Sequence, residues 1–261
     1  MAGSGTVVTG TVFTGEVRVG DKLVLTPGGI EARVRSMQKQ GRAAQEARAG
    51  ERCALNLGGI EVDRVGRGDW VVAPALHAPT QRLDVRLSVL ASEAHALKHW
   101  TPVHLHLGTA DVTARVAIRR GASIAPGESA LVQLIADRPL AALNGDRFIV
   151  RDQSAVRTMG GGIVVDPFAP ASRRHAPQRA AQLAALEHAD AREAFGALLA
   201  CSPAGVNLVN FERAFNITPA HMELLLTACT AVVIGKEQRI ALPQAAIEAL
   251  KPHIVEALTK F

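Results

Sequence analysis

The first part of the chain alternates short runs of β-branched and aliphatic residues with glycine. Such runs, bounded by turn formers, predict the strands of a small all-β barrel. The predicted strands are Thr6 to Val12, Glu16 to Val19, Lys22 to Thr26, Ile30 to Gln38, Arg52 to Leu57 and Trp70 to Ala73. We place this first barrel at residues 1–78, ahead of a proline-containing stretch that we interpret as a linker.

A second β region follows, and its apolar positions alternate with polar ones. Leu83, Val85, Leu87 and Val89 form one such series, and this alternation turns one side of a strand inward. Proline and Asn-Gly breakers separate further strands as far as Asp166. The pattern predicts a second barrel over residues 79–167.

Helix formers dominate after Asp166. Residues 168–177 form a proline-containing basic linker, and the alanine-rich sequence beyond it favours helix. The predicted elements are a helical stretch from Gln178 through Cys201, helices over Asn207 to Phe215 and Ala220 to Ala228, and a hairpin around Gly235-Lys236. Helices followed by a β wing are typical of a winged-helix unit.

We place this winged-helix unit at residues 178–242, and residues 243–261 begin a further helical or winged-helix unit. The linker has few apolar residues that could anchor it. We therefore expect a protease to separate the helical part from the barrels without unfolding them.

Composition narrows the class of protein. A length of 261 residues exceeds one domain, and a net charge of +5 is compatible with a polyanionic partner. The 3 cysteines lack metal-finger spacing and favour a reducing compartment. Neither a membrane-spanning run nor a signal peptide is evident. We expect a cytoplasmic monomer without a membrane partner.

Four segments of the sequence carry a resemblance to a known family. GSGTVVTGTVFTGEVRVGDKLVL resembles the start of the second domain of elongation-factor GTPases. The segments AGERCALNLGGI and RGDW, and then FIVRDQSAVRTMGGGIVVDP, resemble one branch, the selenocysteine-specific elongation factor of bacteria. The resemblance covers essentially the whole chain. It implies two elongation-factor β-barrels followed by a winged-helix segment.

The same resemblance implies a function. A factor of this family binds selenocysteinyl-tRNA and delivers it to the ribosome at recoded UGA codons. Further winged-helix units, downstream of this chain, would reach a messenger-RNA hairpin. Two alternatives stay open: an RNA-binding part of a general elongation or initiation factor, which would lack the winged-helix array, and a nucleic-acid-binding winged-helix regulator, which would not explain two barrels.

The sequence has no GxxxxGK[ST] loop that could cradle nucleotide phosphates. The resemblance assigns GTP and Mg²⁺ to the full-length factor, through a GTPase domain absent from this chain, so we expect no cofactor here. No pattern typical of a catalytic set occurs, and Cys201 and Cys229 lie in apolar surroundings typical of inert thiols. We expect no enzymatic activity.

Arg52 is the candidate for the aminoacyl pocket. It matches the arginine of the family's AGxR motif, which implies that its guanidinium faces the selenolate of selenocysteine. An Asp-Arg pair upstream of this chain would complete the pocket. The alternative is a surface arginine that pairs with Glu46 or Glu51.

A second set of candidates matches the stretch in which the family meets the tRNA backbone. Its members are Arg151, Arg157, Gly160, Gly161 and Gly162. Arginines give bidentate phosphate contacts, and flexible glycines would let backbone N–H groups approach closely. The alternative is an ordinary barrel turn in which Arg151 pairs with Asp152.

Two further groups of residues, four histidines and a basic run, are interpreted as structural or solvent-exposed features. His95, His99, His104 and His106 suggest a metal set, but no carboxylate or cysteine completes it in the sequence, so we expect a polar barrel face and no metal. Arg173, Arg174, His175 and Arg179 form a basic run that we interpret as a solvated linker, with phosphate contact as the alternative.

Overall fold

The computed structural model describes residues 5–171, 177–236 and 238–259. Packing divides the chain into two compact units. The first comprises Met1–Pro79 with Pro139–Ala141, and the second comprises Thr80–Arg138 with Ala142–Phe261.

The first unit consists of short antiparallel strands. These are β1 (Thr6–Thr11), β2 (Glu16–Arg18), β3 (Lys22–Thr26), β4 (Ile30–Lys39), β5 (Arg42–Ala44), β6 (Glu46–Arg48), β7 (Arg52–Gly58) and β8 (Trp70–Val72). The main sheet has the order β1-β7-β4-β3-β8, with β5 paired to β4, and β2 pairs with β6 in a separate ribbon. Single 3-10 turns occupy Val62–Arg64 and Pro74–Leu76.

Alternating apolar residues form the core of this first unit. Leu25, Val34 and Leu57 are almost inaccessible to solvent, and Ala47 from the β2–β6 ribbon joins the same core. The predicted strands of this region are confirmed. Strands β5 and β6 were missed because their short polar sequences have no hydrophobic period of their own.

The second unit begins with a closed β-barrel. Its strands are β9 (Thr80–Val89), β10 (Leu97–Lys98), β11 (Pro102–Leu107), β12 (Ala110–Ile118), β13 (Ser123–Ile124), β14 (Ser129–Leu140), β15 (Arg147–Arg151) and β16 (Thr158–Asp166). The barrel closes in the order β11-β12-β14-β9-β16-β15, while β10 and β13 form a small ribbon. Leu83, Val85, Leu87 and Val89 point inward, as their alternation predicts.

The remainder of the second unit is mainly helical. Its elements are α1 (Pro177–Leu186), α2 (Ala191–Ala200), β17 (Val206–Asn207), α3 (Leu208–Phe215), α4 (Pro219–Ala228), β18 (Ala231–Ile234), β19 (Ile240–Pro243) and α5 (Gln244–Thr259). The sheet order is β17-β19-β18. The run from α2 to β19 is the winged-helix order, which confirms the predicted fold class. No described helix is both long and apolar enough to cross a bilayer.

The predicted continuous helical stretch from Gln178 through Cys201 is wrong in one respect, because it is two helices. The Asp190 carboxylate accepts the backbone N–H groups of Arg192 and Glu193, at 2.9 and 3.0 Å. This N-cap starts α2 anew, four residues after α1 ends. The cap of α4 is the predicted one, since the Thr218 hydroxyl accepts the N–H of His221 and Pro219 follows it.

A buried ion cluster joins α1 to the barrel. Asp84, on β9, is completely buried, and Arg179 of α1 donates to its Oδ2 from Nη2 at 2.6 Å and from Nε at 3.0 Å. Arg179 also pairs with Asp166 of β16, and Arg119 lies 3.6 Å from Asp84. Burial raises the pKa of Asp84, and the two arginines oppose that rise. A carboxylate buried this deeply stays charged only while such partners remain.

Asn144 provides a second link between barrel and helices. Its side-chain Nδ2 donates to the carbonyl oxygens of Val165 at 2.7 Å and of Leu186 at 2.8 Å, and its backbone N–H donates to Ala214 at 2.8 Å. These bonds tie the β14–β15 turn to the ends of α1 and α3. Val165 itself packs into the apolar core of the helices.

These contacts argue against a separable helical part, because barrel and helices share a core and a buried ion cluster. The basic run is corrected as well. Arg179 is 9% exposed and belongs to that cluster, not to a solvated linker or a phosphate contact. Arg173, Arg174 and His175 lie outside the described residues.

We predict that Arg179→Met lowers the free energy of unfolding of the second unit by about 3 to 5 kcal/mol, because it leaves buried carboxylates undercompensated. Arg86→Met is the matched control. This substitution breaks the partly exposed ion pair of Arg86 with Glu187, in which Nε and Nη2 of Arg86 both donate at 2.7 Å. It should lower the free energy of unfolding by about 1 kcal/mol or less. Urea denaturation of the intact chain measures both. Equal small losses would contradict a structural role for the cluster.

Candidate nucleic-acid interface

Arg52 opens β7 with an exposed side chain. The two acids proposed as its alternative partners are engaged elsewhere. Glu51 accepts Lys39 Nζ at 3.0 Å and the backbone N–H of Arg48 at 2.7 Å, and these bonds hold the pKa of Glu51 below its ordinary value. Glu46 pairs with the Arg48 side chain at 2.9 Å. Within the described ranges neither acid pairs with Arg52, whose guanidinium therefore faces solvent.

Arg151 and Arg157 flank one turn of the second barrel. Arg151 lies at a β-bulge, where its Nη2 donates to the Val156 carbonyl oxygen at 2.9 Å. Its Nε is buried and has no hydrogen-bond partner in the part of the chain that the structure describes. Arg157 pairs with the buried carboxylate of Glu93 and is otherwise half exposed. Glu93 was not predicted as its partner, because it lies 64 residues away and no local pattern links the two.

The side-chain carboxylate of Asp152 stabilises this turn by accepting backbone N–H groups from it. Its Oδ1 accepts the N–H groups of Val156 at 3.0 Å and Arg157 at 3.2 Å and the hydroxyl of Ser154 at 3.1 Å, and these bonds lower the pKa of Asp152. Its nearest cation is Arg157, with Nε 3.9 Å from Oδ2. The local pair of Arg151 with Asp152 that served as the alternative is not formed.

The three glycines correct another expectation. Gly160, Gly161 and Gly162 lie inside β16, which pairs with β15 on one side and β9 on the other. A Cβ atom would stand 2.3 Å from the Ser88 carbonyl oxygen at the first position, and 1.8 Å from that of Arg86 at the third. The stretch is therefore a constrained strand, not a flexible segment. The glycines are needed because neighbouring strands approach so closely.

A tryptophan beside this turn was missed in the sequence. Trp100 is partly exposed, and the Arg115 guanidinium carbon lies 5.8 Å from the centre of its ring. The next residues, Thr101 and Pro102, line an open groove of about 350 Å³ together with Asp152, Gln153, Ser154 and Met159. An exposed aromatic ring beside an arginine is an arrangement on which RNA bases commonly stack. A lone tryptophan has no pattern that would reveal this.

The four histidines make different contacts and do not form one cluster among the described residues. His99 Nδ1 accepts the backbone N–H of Ile118 at 3.1 Å, and His95 is exposed. His104 Nδ1 lies 3.0 Å from Asp111 Oδ1, and His106 Nδ1 lies 4.0 Å from it. A carboxylate is thus placed beside two of them, contrary to expectation. Among the described side chains, however, no group of three or more metal-ligating residues converges.

Comparison with known proteins identifies the two barrels. Residues 5–72 match the model of elongation factor Tu domain 2. Residues 84–171 match the model of the β-barrel domain of the selenocysteine-specific elongation factor. Fold and matches together define a translation elongation factor.

Individual relatives narrow the class further. The chain is 41% identical over 175 residues to the selenocysteine-specific elongation factor of Desulfomicrobium baculatum, covering 67% of this chain and 28% of that protein. It is 35% identical over 226 residues to the one of Escherichia coli K12, covering 86% and 34%. A crystal structure of bacterial selenocysteine-specific elongation factor EF-Sec matches 98% of this chain and 40% of that chain, with a TM-score of 0.72 and 25% identity.

The chain belongs to the family of selenocysteine-specific elongation factors, which confirms the resemblance seen in the sequence. It spans about a third of the length of the curated relatives it matches.

We predict that Gly162→Ala destabilises the second unit by about 2 to 3 kcal/mol or more, because the new Cβ meets a barrel carbonyl oxygen that cannot move freely. Gly196→Ala, in α2, is the control. There the Cβ would meet Cys229 Sγ at 3.7 Å, an ordinary contact, and the substitution should stabilise by about 0.5 to 1 kcal/mol. Thermal and urea unfolding measure the stability of both variants. A Gly162→Ala protein as stable as wild type would show that β16 can shift to accommodate a Cβ atom.

Proposed function

We propose that this chain is the part of a selenocysteine-specific elongation factor that holds selenocysteinyl-tRNA during delivery to the ribosome at recoded UGA codons. The observation that carries the proposal is Arg52, an exposed and unneutralised guanidinium on a barrel of the elongation factor Tu domain 2 type. Factor and tRNA meet in the cytoplasm, and the chain acts as a monomer. GTP and Mg²⁺ belong to a separate GTPase domain.

Charge is the physical basis of selection at Arg52. A selenol is largely ionised at neutral pH, whereas the hydroxyl of serine is not. A guanidinium keeps its positive charge and offers several directed N–H donors, so it stabilises the selenolate through charge-assisted hydrogen bonds. The acids beside Arg52 would cancel this effect if they paired with it. Their engagement with Lys39 and Arg48 supports an arginine kept available for a ligand.

The tRNA backbone would lie against the turn that follows β15. Arg151 lies at the bulge of this turn and is partly exposed, and Arg157 is held in place by Glu93. Trp100, which precedes the groove residue Thr101, offers an exposed ring on which a base could stack.

The winged-helix unit is proposed as a spacer. The helix that usually reads nucleic acid in this fold is α4, and its sequence PAHMELLLTA contains neither lysine nor arginine. Its exposed residues include Glu223 and Leu224, which offer phosphate no attraction. The messenger-RNA hairpin would therefore be bound by further winged-helix units downstream.

We predict that Arg52→Ala weakens binding of selenocysteinyl-tRNA by about ten- to a hundredfold, because one charge-assisted contact is lost. Binding of the same tRNA charged with serine should fall much less. Dissociation constants for both tRNAs, at one fixed salt concentration, measure the difference. The experiment uses this chain joined to the family's GTPase domain, where the resemblance places the other half of the pocket.

Arg151→Gln serves as the comparison variant. A phosphate contact does not depend on the amino acid, so this substitution should weaken both charged tRNAs to the same extent. Equal losses for both tRNAs with Arg52→Ala as well would sink the assignment of Arg52 to the aminoacyl pocket.

A further inference from the structure

A second cationic site lies on the main sheet of the first unit. An open groove of about 630 Å³ is lined by Val19, Gly20, Arg33, Val34, Arg35, Gly58 and Gly59. Lys22 stands on the neighbouring strand, directly opposite Arg33. We propose that this groove, together with Lys22, binds the phosphate backbone of RNA. The proposal rests on the RNA-binding function proposed above, but not on Arg52.

The pairing of Lys22 with Arg33 is the first observation. Two exposed cations face each other across an antiparallel ladder, an arrangement that disfavours the fold. Among the described residues, no carboxylate oxygen lies within 4.0 Å of the side-chain nitrogens of Lys22 or Arg33. Glu31 lies only two residues before Arg33 on the same strand and still does not pair with it. The repulsion is therefore left uncompensated within the chain.

The β2–β6 ribbon of the same unit shows the contrast. Its cations Arg18 and Arg48 alternate with Glu16 and Glu46, and the side chains pair at 2.6 to 3.9 Å. On this ribbon each cation faces an acid across the ladder. At Lys22 and Arg33 two cations face each other instead, and an external anion would compensate them.

The position of Arg35 is the second observation. The register of β4 with β7 shifts between Val34 and Ser36, so Arg35 is the extra residue of a β-bulge. A bulge re-aims its side chain. The Arg35 guanidinium lies over Gly58, where a Cβ atom would stand 2.3 Å from its Nε. Arg33 is the cross-strand partner of the same glycine. The bulge and the glycine together bring the two guanidinium groups to one groove.

Phosphodiester is the ligand chemistry that fits. Planar guanidinium groups bind phosphate oxygens through two parallel hydrogen bonds, and lysine adds a point charge beside them. The groove is open, which suits a continuous backbone better than a small enclosed ligand. Its residues include no aromatic side chain on which a base could stack. Binding should therefore be independent of sequence and sensitive to salt.

The test compares Lys22→Gln/Arg33→Gln with Arg18→Gln/Arg48→Gln, which removes the same charge from the already neutralised ribbon. Fluorescence anisotropy with a short A-form RNA duplex and with uncharged tRNA is recorded over a series of salt concentrations. The groove variant should bind both RNAs more weakly, and its logarithmic salt slope should fall by about 1.5, the value for two phosphate contacts. The ribbon variant should behave as wild type.

Two further measurements keep a folding defect apart from a lost site. The melting temperature of Lys22→Gln/Arg33→Gln should equal or exceed that of wild type, because a like-charge pair is removed. Gly58→Ala preserves every charge but displaces the Arg35 side chain, and it should weaken RNA binding while circular dichroism shows the native β-sheet content.

Wild-type affinity and slope in the groove variant would overturn the proposal. Equal losses in both double variants, or tighter binding of poly-glutamate than of RNA, would do so as well. Because none of the RNA probes carries an esterified amino acid, these outcomes are independent of the selenocysteine assay at Arg52.

Discussion

The second unit depends on one buried carboxylate. Asp84 lies on a barrel strand and cannot reach water, so its charge requires Arg179 from α1 and Arg119 from the barrel. If α1 left the barrel, Asp84 would lose the closer of these partners, and Asn144 would lose its bond to the end of α1. The helices therefore contribute to the stability of the barrel itself.

The cations of the chain differ in whether a carboxylate partner lies beside them. Arg179, Arg86 and Arg48 have carboxylate partners within the chain, and the fold uses them. Arg52 and Arg33 have none among the described residues, although acids lie nearby in the sequence. Natural proteins accept such uncompensated charge where a ligand supplies the counterpart. This contrast supports both the proposed aminoacyl pocket and the proposed backbone groove.

Hydrophobic period was sufficient to predict both barrels and the winged helix, because alternation and helical spacing are local signals. Partnerships across long separations were not predictable. Arg179 belongs to a basic run in the sequence, and its partner Asp84 is 95 residues away. Gly160 to Gly162 looked flexible, since a glycine run has the same sequence whether it is a loop or a strand squeezed between neighbours. Arg35 needed the bulge register, which no single-strand pattern contains.

Native-state hydrogen exchange in the second unit tests most directly whether barrel and helices form one body. Amides of α1 and α3 should exchange with the same free energy of opening, and the same urea dependence, as those of β9 and β16. In Arg179→Met the helical amides should open at a lower free energy than those of the barrel. Helices that already open below the barrel in the wild-type chain would contradict the central role of Asp84.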